Sequence, residues 1–138
     1  MEGFALSKRI AAVDVGLKRI GVAVLLVGVE LPLNPILRKN RDQAAADLSK
    51  ILAEHRIDLL VVGLPMEGAS SDEMQRRIRH FVGLLDFQGE IVYVNEWGSS
   101  KEVASMDHGL GIKERGSGKA DSLAALIILR RYLDYYKG

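Results

Sequence analysis

The sequence predicts an α/β fold: a mixed sheet that begins as an antiparallel hairpin and continues with parallel strands, covered by helices on both faces. Three observations predict it. Two β-rich runs, Ile10-Ala11-Ala12-Val13 and Gly21 to Val27, flank the polar Lys18-Arg19 turn as a hairpin does. Asp58-Leu59-Leu60-Val61-Val62-Gly63 is a continuous apolar run, the pattern of a strand buried on both faces. From residue 40 onward, capped helical patterns alternate with strands, which is the order that builds parallel additions to a sheet.

Each element has its own local reason. A third strand is expected across Glu30 to Leu37, where Pro32 and Pro35 lack a ladder donor and place it at an edge or a bend. Asn40 followed three residues later by Gln43 forms a capping box. Ala44, Leu48, Ile51, Leu52 and His55 then recur at helical spacing, predicting a helix over 41–55. Ser70-x-x-Glu73 opens another capped helix, with Met74, Ile78, Phe81, Val82 and Leu85 as its apolar stripe and Arg76, Arg77 and Arg79 on a solvated face. The run Glu90 to Glu96 is a strand ending in a carboxylate, and Ser99-x-x-Glu102 caps a further helix. Gly109, Gly111, Gly116 and Gly118 lie among Lys113, Arg115 and Lys119 in a basic loop, and a final helix runs over 120–136.

Composition narrows the class. The chain has 138 residues, 48% apolar and 27% charged, and no repeat or linker divides it, so one domain over 1–138 is expected. With no cysteine, disulfides, thiol nucleophiles and thiolate metal sites are excluded, and catalysis must use oxygen or nitrogen groups. Net charge is +1, so binding of an anionic partner must rest on local clusters. The run Ile20 to Val29 is far short of the roughly 20 residues of a membrane span, and Met1-Glu2-Gly3 has an acid where a signal peptide carries a base. The expectation is a cytoplasmic protein with no membrane partner.

Three acids stand at element ends: Asp14 where the first strand stops, Glu96 where the last strand stops, and Asp121 in the first turn of the final helix. Asp121 shares a register with Ala125, Ile128 and Tyr132, which turns it toward the sheet. Two carboxylates about 4 Å apart repel by roughly 4 kcal/mol at an effective dielectric near 20, so such a cluster calls for a cation or a bound proton. Magnesium suits oxygen ligands and phosphate chemistry, and phosphodiester hydrolysis is the expected reaction. Singly, each acid has a plainer reading, as turn chemistry, surface charge or helix-dipole complement.

The segments Asp14-Val15-Gly16-Leu17-Lys18-Arg19-Ile20-Gly21-Val22-Ala23, Val61-Val62-Gly63-Leu64-Pro65, Asn95-Glu96 and Asp121-Ser122-Leu123-Ala124-Ala125 fall in the order found in the YqgF family, which the chain resembles along nearly its whole length. The resemblance implies a ribonuclease H-like fold similar to that of RuvC-type resolvases. It also implies a bacterial nuclease that processes precursor ribosomal RNA or resolves Holliday junctions, with magnesium- or manganese-dependent catalysis at Asp14, Glu96 and Asp121. The family's usual Asp-Glu-Arg-Leu-Thr-Thr run is here Asn95-Glu96-Trp97-Gly98-Ser99-Ser100, so the Glu is kept and the Arg is replaced. Trp97 offers a face for stacking an unpaired base.

Lys18 and Arg19 beside the Asp14 turn, with Arg38, Lys39 and Arg41 clustered before the first helix, form a candidate phosphate rim, and Lys113, Arg115 and Lys119 a substrate-binding loop. Gly116-Ser117-Gly118-Lys119 lacks both the earlier glycine and the Ser or Thr of a phosphate loop, and the three histidines have no metal-ligand spacing. The leading expectation is an endonuclease acting on structured RNA or branched DNA, as a monomer or homodimer. The alternative is a nucleic-acid-binding protein of the same fold that cuts weakly and acts in ribosome maturation or transcription. A third reading, from the Asp-x-Gly opening of actin-like ATPases and sugar kinases, is disfavoured because those proteins close two such domains around a nucleotide.

Overall fold

A computed structural model describes the backbone of residues 8–96 and 119–136. The order is β1 (Ile10–Val15), β2 (Arg19–Leu26), β3 (Val29–Pro32), β4 (Ile36–Leu37), α1 (Arg41–Glu54), β5 (Leu59–Leu64), α2 (Ser71–Gly83), β6 (Glu90–Asn95) and α3 (Lys119–Tyr136). One mixed sheet of order β3-β2-β1-β5-β6 results, with β4 also on β2. β2 runs antiparallel to β1, β3 and β4, while β5 is parallel to both β1 and β6. The expected mixed α/β architecture is therefore present.

Strand alternation divides the sheet between two cores. Ala11, Val13, Val15, Leu60, Val62 and Leu64 point to the side where α1 and α2 pack with Leu48, Leu52, Ile78 and Phe81. Ile10, Ala12, Leu59 and Val61 point to the other side, against Leu123, Ala125, Ile128 and Leu129 of α3. Both faces of β5 are thus covered, which explains its unbroken apolar run.

Several local expectations hold and two are revised. Asn40 Oδ1 accepts from the Gln43 amide at 2.7 Å, and Gln43 Oε1 accepts from the Asn40 amide at 3.2 Å, completing the capping box of α1. Ser70 occupies the N-cap of α2 without a side-chain capping bond, so no capping box forms there. The single third strand splits into β3 and β4, because the prolines at 32 and 35 interrupt the donor series between them. β2 and β3 are joined by the two-residue turn Val27-Gly28, both with positive φ, at 51° and 78°.

The gap between β3 and β4 is filled by a side chain from the distant helix. Ser122, completely buried in α3, accepts from the Val22 amide at 3.2 Å and donates to the Leu33 carbonyl. These groups lie one step past β3, where the Leu33 amide still donates to the Val22 carbonyl at 2.8 Å and the hydroxyl joins the other two groups. One hydroxyl satisfies both and pins the first turn of α3 to the sheet.

Candidate active site

The site lies at the carboxyl ends of β1, β5 and β6, where the sheet's connections diverge to either side of β1 and β5. Asp14 is the penultimate residue of β1 and lies opposite Gly21 of β2, so the strand continues one residue past it rather than stopping there. Alternation with the buried Val13 and Val15 turns Asp14 to the α3 side. Glu96 directly follows β6, and its amide donates to the Leu64 carbonyl at 2.9 Å. That bond extends the β5/β6 pairing by one step and sends the Glu96 side chain to the same side as Val92 and Val94.

Gly63 lies between the two acids. Its register follows Val13↔Val62 on one side and pairs with Val94 on the other. A Cβ at this glycine would stand 2.5 Å from Ile128 Cδ1, 3.1 Å from Glu96 Oε2 and 3.2 Å from Glu96 Cβ. The missing side chain is what admits the Glu96 carboxyl and the α3 helix to the same space. A glycine inside an otherwise buried strand marks close approach of this kind, and Gly63 carries that signal within β5.

Asp14 and Glu96 are hydrogen-bonded through their carboxyl groups. Burial is the main reason that the Glu96 carboxyl is pushed up to about 8, and its hydrogen bond to Asp14 and the Asp14 charge add to it. The positive charge of Arg131 acts in the opposite direction. Arg131 lies on α3 and donates from Nη1 to the Asn95 carbonyl at 2.9 Å, which fixes its guanidinium beside the end of β6. Sequence reading followed the apolar stripe through Ile128 to Tyr132 and missed Arg131, three residues after Ile128 on the neighbouring face.

These contacts test whether a divalent metal fits. The donor atoms are all carboxylate oxygens, as magnesium and manganese require. Without a cation, the two acids relieve their repulsion by keeping a proton near neutral pH. A hard dication in place of that proton is therefore chemically compatible with the pair. Among the described residues there is no group of three potential metal ligands. The backbone of Asp121 is in the first turn of α3, and its register partners Ala125 and Ile128 are completely buried, whereas its side chain lies outside the described residues.

Of the other expected binding residues, Lys18, Arg19 and Arg38 are neighbours: the Arg38 amide donates to the Lys18 carbonyl at 2.8 Å, and Arg19 pairs with Leu37. Lys18 and Arg19 are exposed at the β1–β2 turn, close in sequence to Asp14. Arg38 is half-buried, and its Nη1 donates to the Gly16 carbonyl at 3.0 Å. Trp97, Lys113 and Arg115 lie outside the described residues, as does the expected helix after Ser99, while Lys119 begins α3 with its side chain likewise outside them. Arg76, Arg77 and Arg79 are exposed, as a solvated face requires, and Arg79 also lies 4.4 Å from the ring centre of Tyr93, a cation–π contact.

Comparison with known proteins places this geometry in context. The family model described as "RuvX: Holliday junction resolvase" matches residues 8–135. A Sulfurovum sp. protein named "Putative pre-16S rRNA nuclease" is 53% identical over 126 residues, covering 91% of this chain and 98% of the relative. A Helicobacter pylori protein of the same name is 52% identical over 127 residues, with 89% and 93% covered. Among solved structures, Thermus thermophilus RuvC in complex with a Holliday junction substrate superposes with a TM-score of 0.61 at 18% identity, covering 94% of this chain and 96% of that one. The fowlpox virus Holliday junction resolvase gives 0.56 at 16% identity, with 92% and 99% covered. The structural likenesses establish a shared fold. Among the described residues, no helix is long and apolar enough to cross a membrane.

Proposed function

Since the chain belongs to the RuvX family of Holliday junction resolvases, we propose that it is a metal-dependent endonuclease of structured nucleic acid whose substrate is precursor 16S ribosomal RNA. The observation that carries this reading is the apposition of Asp14 and Glu96 around Gly63 at the carboxyl end of the central strands. The choice of RNA is supported by relatives named as precursor 16S rRNA nucleases at about 50% identity over most of the chain. Such an enzyme acts in the bacterial cytoplasm, where that precursor is found.

In this reading Asp14 and Glu96 hold a magnesium or manganese ion, and Asp121 completes the ligand set from the first turn of α3. The metal supplies a Lewis acid that favours hydroxide over water and stabilises charge on the phosphate. The protein provides the rest. Glu96, freed of its proton, contributes a carboxylate whose position is set by the Leu64 carbonyl beneath its amide and by Gly63 beside it. Arg131 stabilises the ionised form of Glu96 while remaining bound to the Asn95 carbonyl. Ser122 anchors the turn of α3 that carries Asp121.

The test incubates purified protein with a precursor 16S fragment and with a four-way DNA junction, with and without magnesium or manganese, beside Asp14→Asn and Asp121→Asn. Metal-dependent cleavage of the RNA, absent in both variants, is the expected result. Cleavage of the junction alone would transfer the activity to branched DNA. Binding of RNA without cleavage in any metal would favour the alternative of a catalytically weak binding protein.

A further inference from the structure

On the opposite side of β1 from the acids, the turn Val15-Gly16-Leu17 walls a groove of about 420 Å³. Two stretches distant in sequence bring cations to it: Arg38 and Arg41 around the start of α1, and Arg76, Arg77 and His80 from α2. Among the described residues, no acidic side chain lines this groove. Arg41, Arg76, Arg77 and His80 are exposed at its rim. Four guanidinium groups gathered on one concave surface repel one another, and an anion lying among them relieves that repulsion.

The groove is also partly organised in advance. Arg38 donates to the Gly16 carbonyl at 3.0 Å, and its guanidinium carbon lies 5.3 Å from the ring centre of Phe81, so its fork is held in place by a wall of the groove itself. Arg77 shares its charge with Glu73 at 2.7 Å, one turn back on α2. Both side chains of that pair are more than half exposed, and such ion pairs yield readily to a competing anion. Among the described residues, Arg41 and Arg76 have no ion-pair partner. At the start of α1 the capping box takes up the Asn40 and Gln43 amides, and the guanidinium forks around the groove have a geometry that matches phosphate oxygens.

Position relates the groove to the acids. Asp14 and Val15 are consecutive residues of β1, one facing the α3 side and the other the groove. A strand crossing the carboxyl end of β1 would therefore pass from one to the other. Cations spread over two elements suit a repeating polyanion better than a single phosphate. We propose that this groove binds the phosphodiester backbone flanking the bond to be cut, through Arg38, Arg41, Arg76 and Arg77. The proposal rests on the reading of Asp14 and Glu96 as the cutting site.

The experiment measures equilibrium binding by fluorescence anisotropy in EDTA, where cutting is suppressed. A labelled precursor 16S fragment and a labelled four-way DNA junction are titrated across a salt series. The proteins are wild type, Arg76→Gln/Arg77→Gln, Arg41→Gln, and Lys50→Gln as a control on another face of α1. The double variant is expected to bind the RNA about tenfold more weakly, with a salt slope smaller by roughly 0.7 for each phosphate it no longer neutralises. Lys50→Gln is expected to leave affinity and slope unchanged, and circular dichroism should show every variant folded. In cleavage assays with metal restored, the double variant should raise KM and leave kcat near wild type. Weakening on RNA alone assigns the groove to RNA, and equal weakening on the junction assigns it to either backbone. Arginine variants that bind with wild-type affinity and slope overturn the proposal, even if the wild type cuts. Conversely, arginine-dependent binding by a wild type that never cuts leaves the groove standing and removes the cutting-site reading.

Discussion

The Glu96 carboxyl is hydrogen-bonded to that of Asp14, one from the end of β6 and the other from β1, with a single glycine of β5 between their strands. Two acids held this way need either a proton or a cation between them. Replacing either acid by its amide removes a negatively charged oxygen donor while keeping its shape. Asp14→Asn and Glu96→Gln are each expected to reduce metal-dependent cleavage by more than roughly 100-fold, beyond the usual cost of losing a residue that only supports a metal ligand. Gel-based cleavage, alongside circular dichroism to confirm folding, measures this.

Proton binding by Glu96 makes stability depend on pH in a definite direction. Its folded pKa of about 8 exceeds the ordinary 4.5, so between these values the folded protein binds more protons than the unfolded chain. Metal-free protein should therefore be most favoured by this group below pH 4.5 and lose that contribution as pH rises toward 8. The melting temperature of Glu96→Gln should decline less across this interval than that of wild type. Adding magnesium should restore more thermal stability at alkaline pH than at acidic pH, because the cation competes with the proton. A melting curve equally steep in both proteins would show that Glu96 does not carry the effect.

Gly63 is expected to tolerate no side chain. In Gly63→Ala the new methyl meets Ile128 Cδ1 and the Glu96 carboxyl, which should cost about 1–3 kcal/mol and displace Glu96 from Asp14. Shortening the helix side chain in Gly63→Ala/Ile128→Val should recover part of the stability and little of the cleavage, since the crowding of Glu96 remains. Urea denaturation and cleavage rates separate the two effects.

Ser122→Ala leaves the buried Val22 amide and Leu33 carbonyl without the hydroxyl that joins them. An expected loss of about 1–3 kcal/mol follows from the unsatisfied groups. Faster amide exchange at Val22 by hydrogen–deuterium exchange would locate the damage at the β3–β4 gap.

The β2–β3 turn offers a stabilising change. Val27 is β-branched, exposed and held at φ 51°, a conformation that asparagine adopts more readily and that an Asn-Gly pair favours in two-residue hairpins. Val27→Asn should raise stability by roughly 0.5–1 kcal/mol, with cleavage unaffected. Thermal unfolding and a cleavage assay check both halves.

Much of the fold was legible in local sequence because its causes are local. The Asn40–Gln43 box begins a helix through bonds within four residues, and the apolar run of β5 follows directly from burial on both faces. The prolines at 32 and 35 announced a weak edge, although they broke one expected strand into two. Ser70 shows the limit: the capping pattern is present, but the hydroxyl makes no capping bond, so residue type alone did not fix its partner.

For the candidate site, the amino-acid sequence by itself determined which residues carry oxygen donors and placed Asp14 and Glu96 at the ends of strands. Only the tertiary structure decided that these two touch, that Gly63 makes room for them, that Arg131 faces Glu96, and that arginines from α1 and α2 share a groove behind β1. The physical reason is that strand and helix periodicities act over a few residues, whereas these contacts join residues tens of positions apart. Their geometry depends on strand order, register and side-chain volume at the crossing of separate elements.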